Sequence, residues 1–163
     1  MLEIRSLSPA EWETIRDIRL RALQDSPDAF TSSYERESTF DEVTWRDRAR
    51  TGQWFVAIDD SEPVGIACGI EGWSVDPAKR ELVGMWVAES HRGRRVGLAL
   101  LERVGEWARA DGASTLTLGV VEGNHRALRA YEKMGLRVTG ERIQVWNDPS
   151  RFIEVMERAL GDS

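Results

Sequence analysis

A loop of basic residues and glycines at residues 91–99 is well suited to bind an anion. Gly93 and Gly97 allow backbone to approach a ligand closely, and the helical spacing that follows places the loop at a helix N-terminus with unpaired N–H groups. The loop carries three arginines: Arg92, Arg94 and Arg95. Neither a Walker A motif nor Gly-x-Gly-x-x-Gly occurs, so we expect a pyrophosphate site of another kind. A solvated basic helix start is the alternative.

Two motifs together resemble a known family. Arg94-x-x-Gly97-x-Ala99 is similar to the Arg/Gln-x-x-Gly-x-Gly/Ala acyl-CoA loop of the GNAT N-acetyltransferase superfamily, with Ala99 in place of the commoner glycine. The stretch Asn124-His-Arg-Ala-Leu-Arg-Ala-Tyr-Glu-Lys-Met-Gly-Leu136 resembles that superfamily's second signature. With a strand between them and strands before them, the resemblance covers residues 53–140.

The resemblance implies that acetyl-CoA binds as co-substrate, without a metal. Met85 and Val87 would pair with the pantetheine arm through backbone groups, with Trp86 between them. The pyrophosphate would lie on the loop residues Arg92, Gly93, Arg94, Arg95, Val96, Gly97, Leu98 and Ala99. The second signature would contribute Asn124, Ala127, Tyr131 and Lys133. Asn124 is also placed to cap its helix, and Gly84 suits a strand bulge or close strand packing.

Tyr131 is the residue that the resemblance casts as general acid. A phenol with an ordinary pKa of about 10 keeps its proton at neutral pH and can protonate a departing thiolate. The alternative is a tyrosine packed on the inner face of its helix.

Glu81 is the predicted general base, ahead of Glu71 and Glu35. An aliphatic ammonium with a pKa of about 10.4 must lose a proton before it attacks, which costs about 4.6 kcal/mol at pH 7. Glu81 opens the strand that carries Met85 and Val87, and the period of two predicts that it shares their side-chain face. A solvated glutamate at a strand end is the alternative.

Five residues are predicted to line an acceptor pocket: Phe30, Ser33, Glu35, Trp73 and Trp146. The first three lie in the segment 28–35, which has no clean periodicity between two predicted helices, and a plain connector is equally consistent with it. The two tryptophans lie at strand ends beside polar segments, where rim packing is the alternative. Cys68 lies in an apolar strand and is predicted to be an inert core thiol.

The elements that position these residues follow the order β-α-α-β-β-β-α-β-α-β-β. Ser8, Pro9 and Glu11 predict a capped helix start, and a second helix is expected from near Thr39 to Gly52. Strands are predicted at residues 2–7, 54–58, 64–70, 81–88, 116–121, 136–146 and 152–158. The remaining helices are predicted from Gly93 to Asp111-Gly112 and from Asn124 to Met134. The predicted fold is one α/β (α+β) domain over residues 1–163. Its mixed, mostly antiparallel sheet has six or seven strands and about four flanking helices.

Composition excludes several classes of protein. The 163 residues hold one Cys and two His, too few for a disulfide framework or a structural zinc site. No apolar run reaches the roughly 18 residues of a membrane helix, and no signal peptide is evident, which favours the cytoplasm. A net charge of −6 argues against a nucleic-acid partner and weakly favours a cationic acceptor.

The sequence therefore predicts an acetyl-CoA-dependent N-acetyltransferase. Its acceptor would be a primary amine of a small molecule or peptide that attacks the thioester directly in a ternary complex. An enzyme acting on protein lysines or N-termini and a non-catalytic CoA-binding regulatory module are the alternatives. The protein is expected to be a monomer or homodimer that needs neither membrane nor nucleic acid.

Overall fold

Seven strands and five α-helices are present in the computed structural model, which describes residues 1–161. The strands are β1 (Leu2–Leu7), β2 (Gln53–Asp59), β3 (Glu62–Ile70), β4 (Lys79–Val87), β5 (Thr115–Val121), β6 (Arg137–Val145) and β7 (Asp148–Ala159). The helices are α1 (Trp12–Asp25), α2 (Tyr34–Glu37), α3 (Glu42–Thr51), α4 (Val96–Ala110) and α5 (His125–Lys133). The predicted element order is confirmed, with the one-turn helix α2 added in the segment expected to be irregular.

The strands form one sheet in the order β1-β2-β3-β4-β5-β7-β6. Only β4 and β5 run parallel, because α4 carries the chain from the end of one to the start of the other. All other neighbours are antiparallel. The predicted mixed, mostly antiparallel sheet is therefore confirmed.

Helices cover both faces of the sheet around β3. Gly65 and Gly69 face α4 so closely that a Cβ at Gly69 would lie 2.5 Å from the ring of Trp107. Cys68, on the opposite face, lies beside Gly52 at the end of α3. The alternation of side chains along a strand thus separates an α4 face from an α1/α3 face.

Local side-chain bonds explain where the first helices begin. The carboxylate of Glu11 accepts a hydrogen bond from the Ser8 N–H at 2.8 Å, as the predicted capping box requires. The predicted start of the second helix near Thr39 is wrong. Asp41 caps α3 by accepting from the Thr44 N–H at 2.9 Å, while the Thr39 hydroxyl donates to the Arg36 carbonyl.

The sheet opens between β4 and β5. Their pairing runs only from Lys79 opposite Thr115 to Glu81 opposite Thr117, although both strands continue for several residues. Within residues 1–161 no helix is both long and apolar enough to cross a membrane.

A bulge in β4 lies beside this opening. Trp86 pairs with Ile66 and Val83 with Cys68, so three steps along β4 match two along β3. Gly84 lies inside the bulge with φ at +66°, a backbone conformation that glycine adopts without a steric penalty. Of the two interpretations that the sequence allows for Gly84, the structure shows the strand bulge.

Candidate active site

A cavity of about 360 Å³ lies where β4 and β5 separate. Its walls come from both strands, from the connector between α1 and α2, and from the start of α5. Seven of the residues predicted for the site line it: Phe30, Trp73, Glu81, Met85, Asn124, Ala127 and Tyr131. The fold therefore brings together residues that lie up to 101 positions apart in the sequence.

Glu81 lies at the closed end of the opening, where the pairing of β4 with β5 stops. Its residue is 5% exposed, and burial raises the pKa of its carboxyl from 4.5 to about 8. Within residues 1–161, no group donates a hydrogen bond to this carboxylate. Since every fully buried side-chain oxygen in that part of the chain has a partner, the carboxylate oxygens of Glu81 are not fully buried. The carboxyl group therefore keeps contact with the cavity and can exchange a proton near neutral pH.

The prediction that Glu81 shares a side-chain face with Val87 is wrong. Glu81 pairs with Ile70 and Val87 pairs with Gly65, five positions apart on the regular strand β3. Because an odd separation places side chains on opposite faces, Glu81 lies on the α1/α3 face and Val87 on the α4 face. The bulge at Gly84 inserts the extra residue that changes the alternation.

Tyr131 lies on the face of α5 that borders the cavity, one turn beyond Ala127. Asn124 caps the helix by accepting from the Ala127 N–H at 3.1 Å, and Gly135 ends it with φ at +91°. Burial raises the pKa of the Tyr131 phenol above its ordinary value. The phenol therefore keeps its proton at neutral pH and is available as a donor.

The start of α4 presents unpaired donors to solvent. The first hydrogen bond of the helix runs from the Ala99 N–H to the Arg95 carbonyl at 3.0 Å. The N–H groups of residues 96–98 therefore have no acceptor within the helix. Arg94 and Arg95 are exposed, and neither side chain has a hydrogen-bond partner within residues 1–161. This combination of free N–H groups and free guanidinium groups can hold a phosphate.

Gly97 in the first turn of α4 lies close to neighbouring side chains. A Cβ there would approach the Met134 Cε to 3.1 Å and the Val87 Cγ2 to 3.8 Å. Glycine therefore keeps a narrow space open between the start of α4, the end of β4 and the end of α5.

Arg92 differs from the other two arginines of the loop. Its Nη2 donates to the Asp25 carboxylate at 2.8 Å and its Nε donates to the Val87 carbonyl at 3.0 Å. The Trp86 indole N–H also donates to Asp25, at 2.9 Å, so Trp86 turns its side chain into the core. These side chains connect the end of β4 to α1, and the Arg92 guanidinium is not free for the predicted anion site.

The residues predicted for the acceptor pocket divide into two groups. Phe30 and Trp73 line the cavity. Ser33 instead caps α2 by accepting from the Arg36 N–H at 3.1 Å, and Glu35 is exposed on that helix. Trp146 is 64% exposed at the turn between β6 and β7, where the Arg36 guanidinium stacks on its ring. Lys133 is exposed at the end of α5, outside the cavity wall.

Arg19 on α1 is a cavity residue that the sequence analysis missed. Its Nε and Nη2 donate to the two carboxylate oxygens of Glu37 at 3.0 and 2.9 Å, and Arg48 donates to Glu37 at 2.7 Å. The signal was its position. Trp12, Ile15, Arg19 and Ala22 follow one helical stripe, so an arginine interrupts an otherwise apolar face.

Burial alone would raise the pKa of Glu37, but hydrogen bonds and charge from Arg19 and the charge of Arg48 outweigh it and lower the pKa to about 2. Glu37 is therefore ionised at neutral pH. Because two guanidinium groups surround one carboxylate, the cluster carries an excess positive charge.

Other chemistry finds less support in the structure. Burial raises the pKa of the Cys68 thiol to about 12, consistent with the predicted inert core thiol. Among residues 1–161, no three His, Cys, Asp or Glu side chains are grouped to hold a metal ion. The His91 ring bonds the Asp59 carboxylate at 2.8 Å.

Comparison with known proteins agrees with this geometry. Residues 12–136 match the acetyltransferase (GNAT) family. An L-methionine sulfoximine/L-methionine sulfone acetyltransferase of Pseudomonas aeruginosa is 27% identical over 116 residues, covering 68% of this chain and 67% of the relative. A streptothricin acetyltransferase of Streptomyces lavendulae is 39% identical over 88 residues, covering 53% of this chain and 45% of the relative.

The fold agrees along nearly the whole chain with solved structures. The structure of an acetyltransferase of the GNAT family from Streptococcus pneumoniae superposes with a TM-score of 0.75 at 19% identity, covering 99% of this chain and 100% of the other. The chain spans about two thirds of the Pseudomonas relative and less than half of the Streptomyces one. Since the family match extends over most of its length, the chain belongs to the acetyltransferase (GNAT) family.

Proposed function

We propose that the protein transfers an acetyl group from acetyl-CoA to a primary amine of a small molecule or peptide. The observation that carries the proposal is the opening between β4 and β5. A cavity lined by Glu81 and Tyr131 lies in it, and the free donors at the start of α4 lie beside the end of β4, where a Cβ at Gly97 would be 3.8 Å from Val87. A long thioester could lie along this path, with its phosphates at one end and its acyl group at the other.

The binding role falls to backbone and to three cationic side chains. The N–H groups of residues 96–98, with Arg94 and Arg95, would hold the pyrophosphate, and Lys133 would approach the ribose phosphate. Asn124 and Met85, both in the cavity wall, would bond the pantetheine arm.

The backbone N–H of Val87 is available to bind the thioester. Its carbonyl accepts from Arg92, and the Ala88 N–H bonds β3, so the Val87 N–H points toward the opening. An N–H in that position would stabilise negative charge on the carbonyl oxygen of the thioester.

The proposed reaction is a direct displacement. The amine nitrogen attacks the thioester carbonyl carbon, a C–N bond forms and the C–S bond breaks. Glu81, with a pKa near 8, takes a proton from the amine, and the protonated phenol of Tyr131 gives one to the departing sulfur. The products are an acetamide and free CoA thiol.

Release of CoA thiol tests the proposal. Purified protein is mixed with acetyl-CoA and a panel of amino acids, aminoglycosides, polyamines and short peptides. We expect turnover with one class of small amine. Binding of CoA without turnover on any amine, including lysine-bearing and N-terminal peptides, would contradict the enzyme and favour a regulatory module.

A further inference from the structure

The cavity holds one cationic side chain with donors to spare. Arg19 is 8% exposed, and its Nε and Nη2 both bond Glu37, whereas its Nη1 has no hydrogen-bond partner within residues 1–161. Since no fully buried side-chain nitrogen in that part of the chain lacks a partner, Nη1 keeps contact with the cavity that Arg19 lines.

The surroundings hold this guanidinium in place. The bidentate bond to Glu37 fixes its plane, and the ring of Phe30 lies 4.8 Å from its Cζ. Gly84 leaves the Nη1 uncovered, because a Cβ at that position would lie 3.7 Å from it. A buried arginine whose guanidinium plane is fixed and whose Nη1 has no hydrogen-bond partner is suited to bind a planar anion.

The charges of the cavity are divided between two places. Among residues 1–161, the ionisable side chains that line it are Arg19, Glu81 and Tyr131. Glu37 cannot neutralise both of its arginines, so the Arg19 side carries excess positive charge. Glu81, when it is ionised, supplies the opposite charge at the end of the β4–β5 pairing.

We propose that the acceptor is an amino acid or a similar small amine carrying a carboxylate, with the carboxylate bound by Arg19 and the amine presented to Glu81. This inference rests on the proposed function and specifies its substrate class. It replaces the expectation of a cationic acceptor, since the charge that matters is the local charge of the cavity and not the net charge of the chain.

The test compares two acceptors that differ only in the anion. L-methionine sulfone and its carboxamide are assayed for CoA thiol release with the wild-type protein. We expect kcat/KM to favour the acid by roughly ten- to a hundredfold, the range of a hydrogen bond to a charged group. The amine of the carboxamide loses its proton more readily, so a preference for the acid has to come from binding.

Two variants test whether Arg19 causes the preference for the acid over the carboxamide. In Arg19→Gln the preference for the acid should fall to about twofold or less, mainly through KM. Arg48 is the other arginine bonded to Glu37, and it does not line the cavity. Arg48→Gln should therefore keep the preference for the acid. Circular dichroism and thermal unfolding confirm that both variants fold.

Three outcomes would overturn the proposal. Equal use of acid and carboxamide by the wild-type protein excludes a carboxylate site even if Arg19→Gln does not fold. An unchanged preference in folded Arg19→Gln assigns the anion to another residue. Absence of thiol release with every acceptor of the panel would overturn the proposed function itself, and this inference with it.

Discussion

Arg94 and Arg95 lie exposed at the start of α4 with no side-chain partner in residues 1–161, whereas Arg19 is buried on the other face of the sheet and bonded twice to Glu37. The exposed pair keeps its hydration and its freedom, so each contact that it makes with a phosphate is weak and screened by salt. The buried arginine has lost most of its water and is held in one geometry. A change there should affect stability and substrate choice together.

The largest effect is expected for Glu37→Gln. The substitution leaves Arg19 and Arg48 without their carboxylate in a buried site, and should lower the free energy of unfolding by about 3–5 kcal/mol. Urea unfolding measures it. Glu122→Gln, which breaks the exposed pair with Arg142, is the matched control and should change stability by less than about 1 kcal/mol. Similar losses in both variants would remove the contrast between the buried and the exposed arginines.

Tyr131→Phe should lower kcat by about a hundredfold, because the leaving thiolate loses its proton donor. CoA affinity, measured by calorimetry, should stay unchanged, since the phenol is not proposed to hold the phosphates. The other tyrosine of the chain provides the control, and Tyr34→Phe on α2 should keep wild-type kcat. Wild-type turnover in Tyr131→Phe would exclude the phenol as the acid.

Glu81 predicts the pH dependence of activity. Below its pKa of about 8, kcat at saturating acceptor should fall about tenfold for each pH unit as the carboxylate is protonated. In Glu81→Gln this titration should be absent and kcat lower. A wild-type profile that breaks near the ordinary glutamate pKa would show that a different group is the base.

The same pKa predicts a change in stability. Between pH 4.5 and 8 the folded protein binds a proton at Glu81 that the unfolded chain has lost, so stability decreases as pH rises through this window. Relative to Glu81→Gln, wild type should lose about 2 kcal/mol between pH 6 and 8. Parallel stability curves for the two proteins would contradict the raised pKa.

The smallest effect is expected at the exposed arginines. Arg94→Gln and Arg95→Gln should each raise KM for acetyl-CoA by roughly three- to tenfold at low salt, and the difference should shrink as salt is added. Arg109→Gln, in the last turn of the same helix, serves as control and should leave KM unchanged. A loss that does not depend on salt would indicate that these arginines are held as firmly as Arg19.

Most of the fold could be predicted because it depends on neighbours in the sequence. The capping box at Ser8 and Glu11, the Asn124 cap and the positive φ at Gly135 involve residues within three positions or a single backbone conformation. Helical and strand periodicity depends on the same short range. The start of α3 was misplaced because Thr39 and Asp41 are both residues that cap helices, and sequence did not distinguish them.

Only part of the site could be predicted from the sequence. Tyr131 and Asn124, which belong to the second signature, line the cavity, and so does Glu81, which was predicted from its place at the start of β4. Ser33 and Glu35 do not, because the segment expected to form a wall contains the one-turn helix α2, whose cap uses Ser33.

The sequence by itself determined the order of elements and predicted an anion-binding loop before α4, since glycines, arginines and a helix start within nine residues need no distant partner. Tertiary structure alone decided what the individual side chains do. Arg92 bonds Asp25, 67 positions away, and the bulge opposite β3 sets Glu81 and Val87 on different faces. Arg19 became a candidate substrate ligand only because packing buries it against Glu37 and leaves its Nη1 without a partner. Such pairings depend on which segments the fold brings into contact, and local sequence carries no record of them.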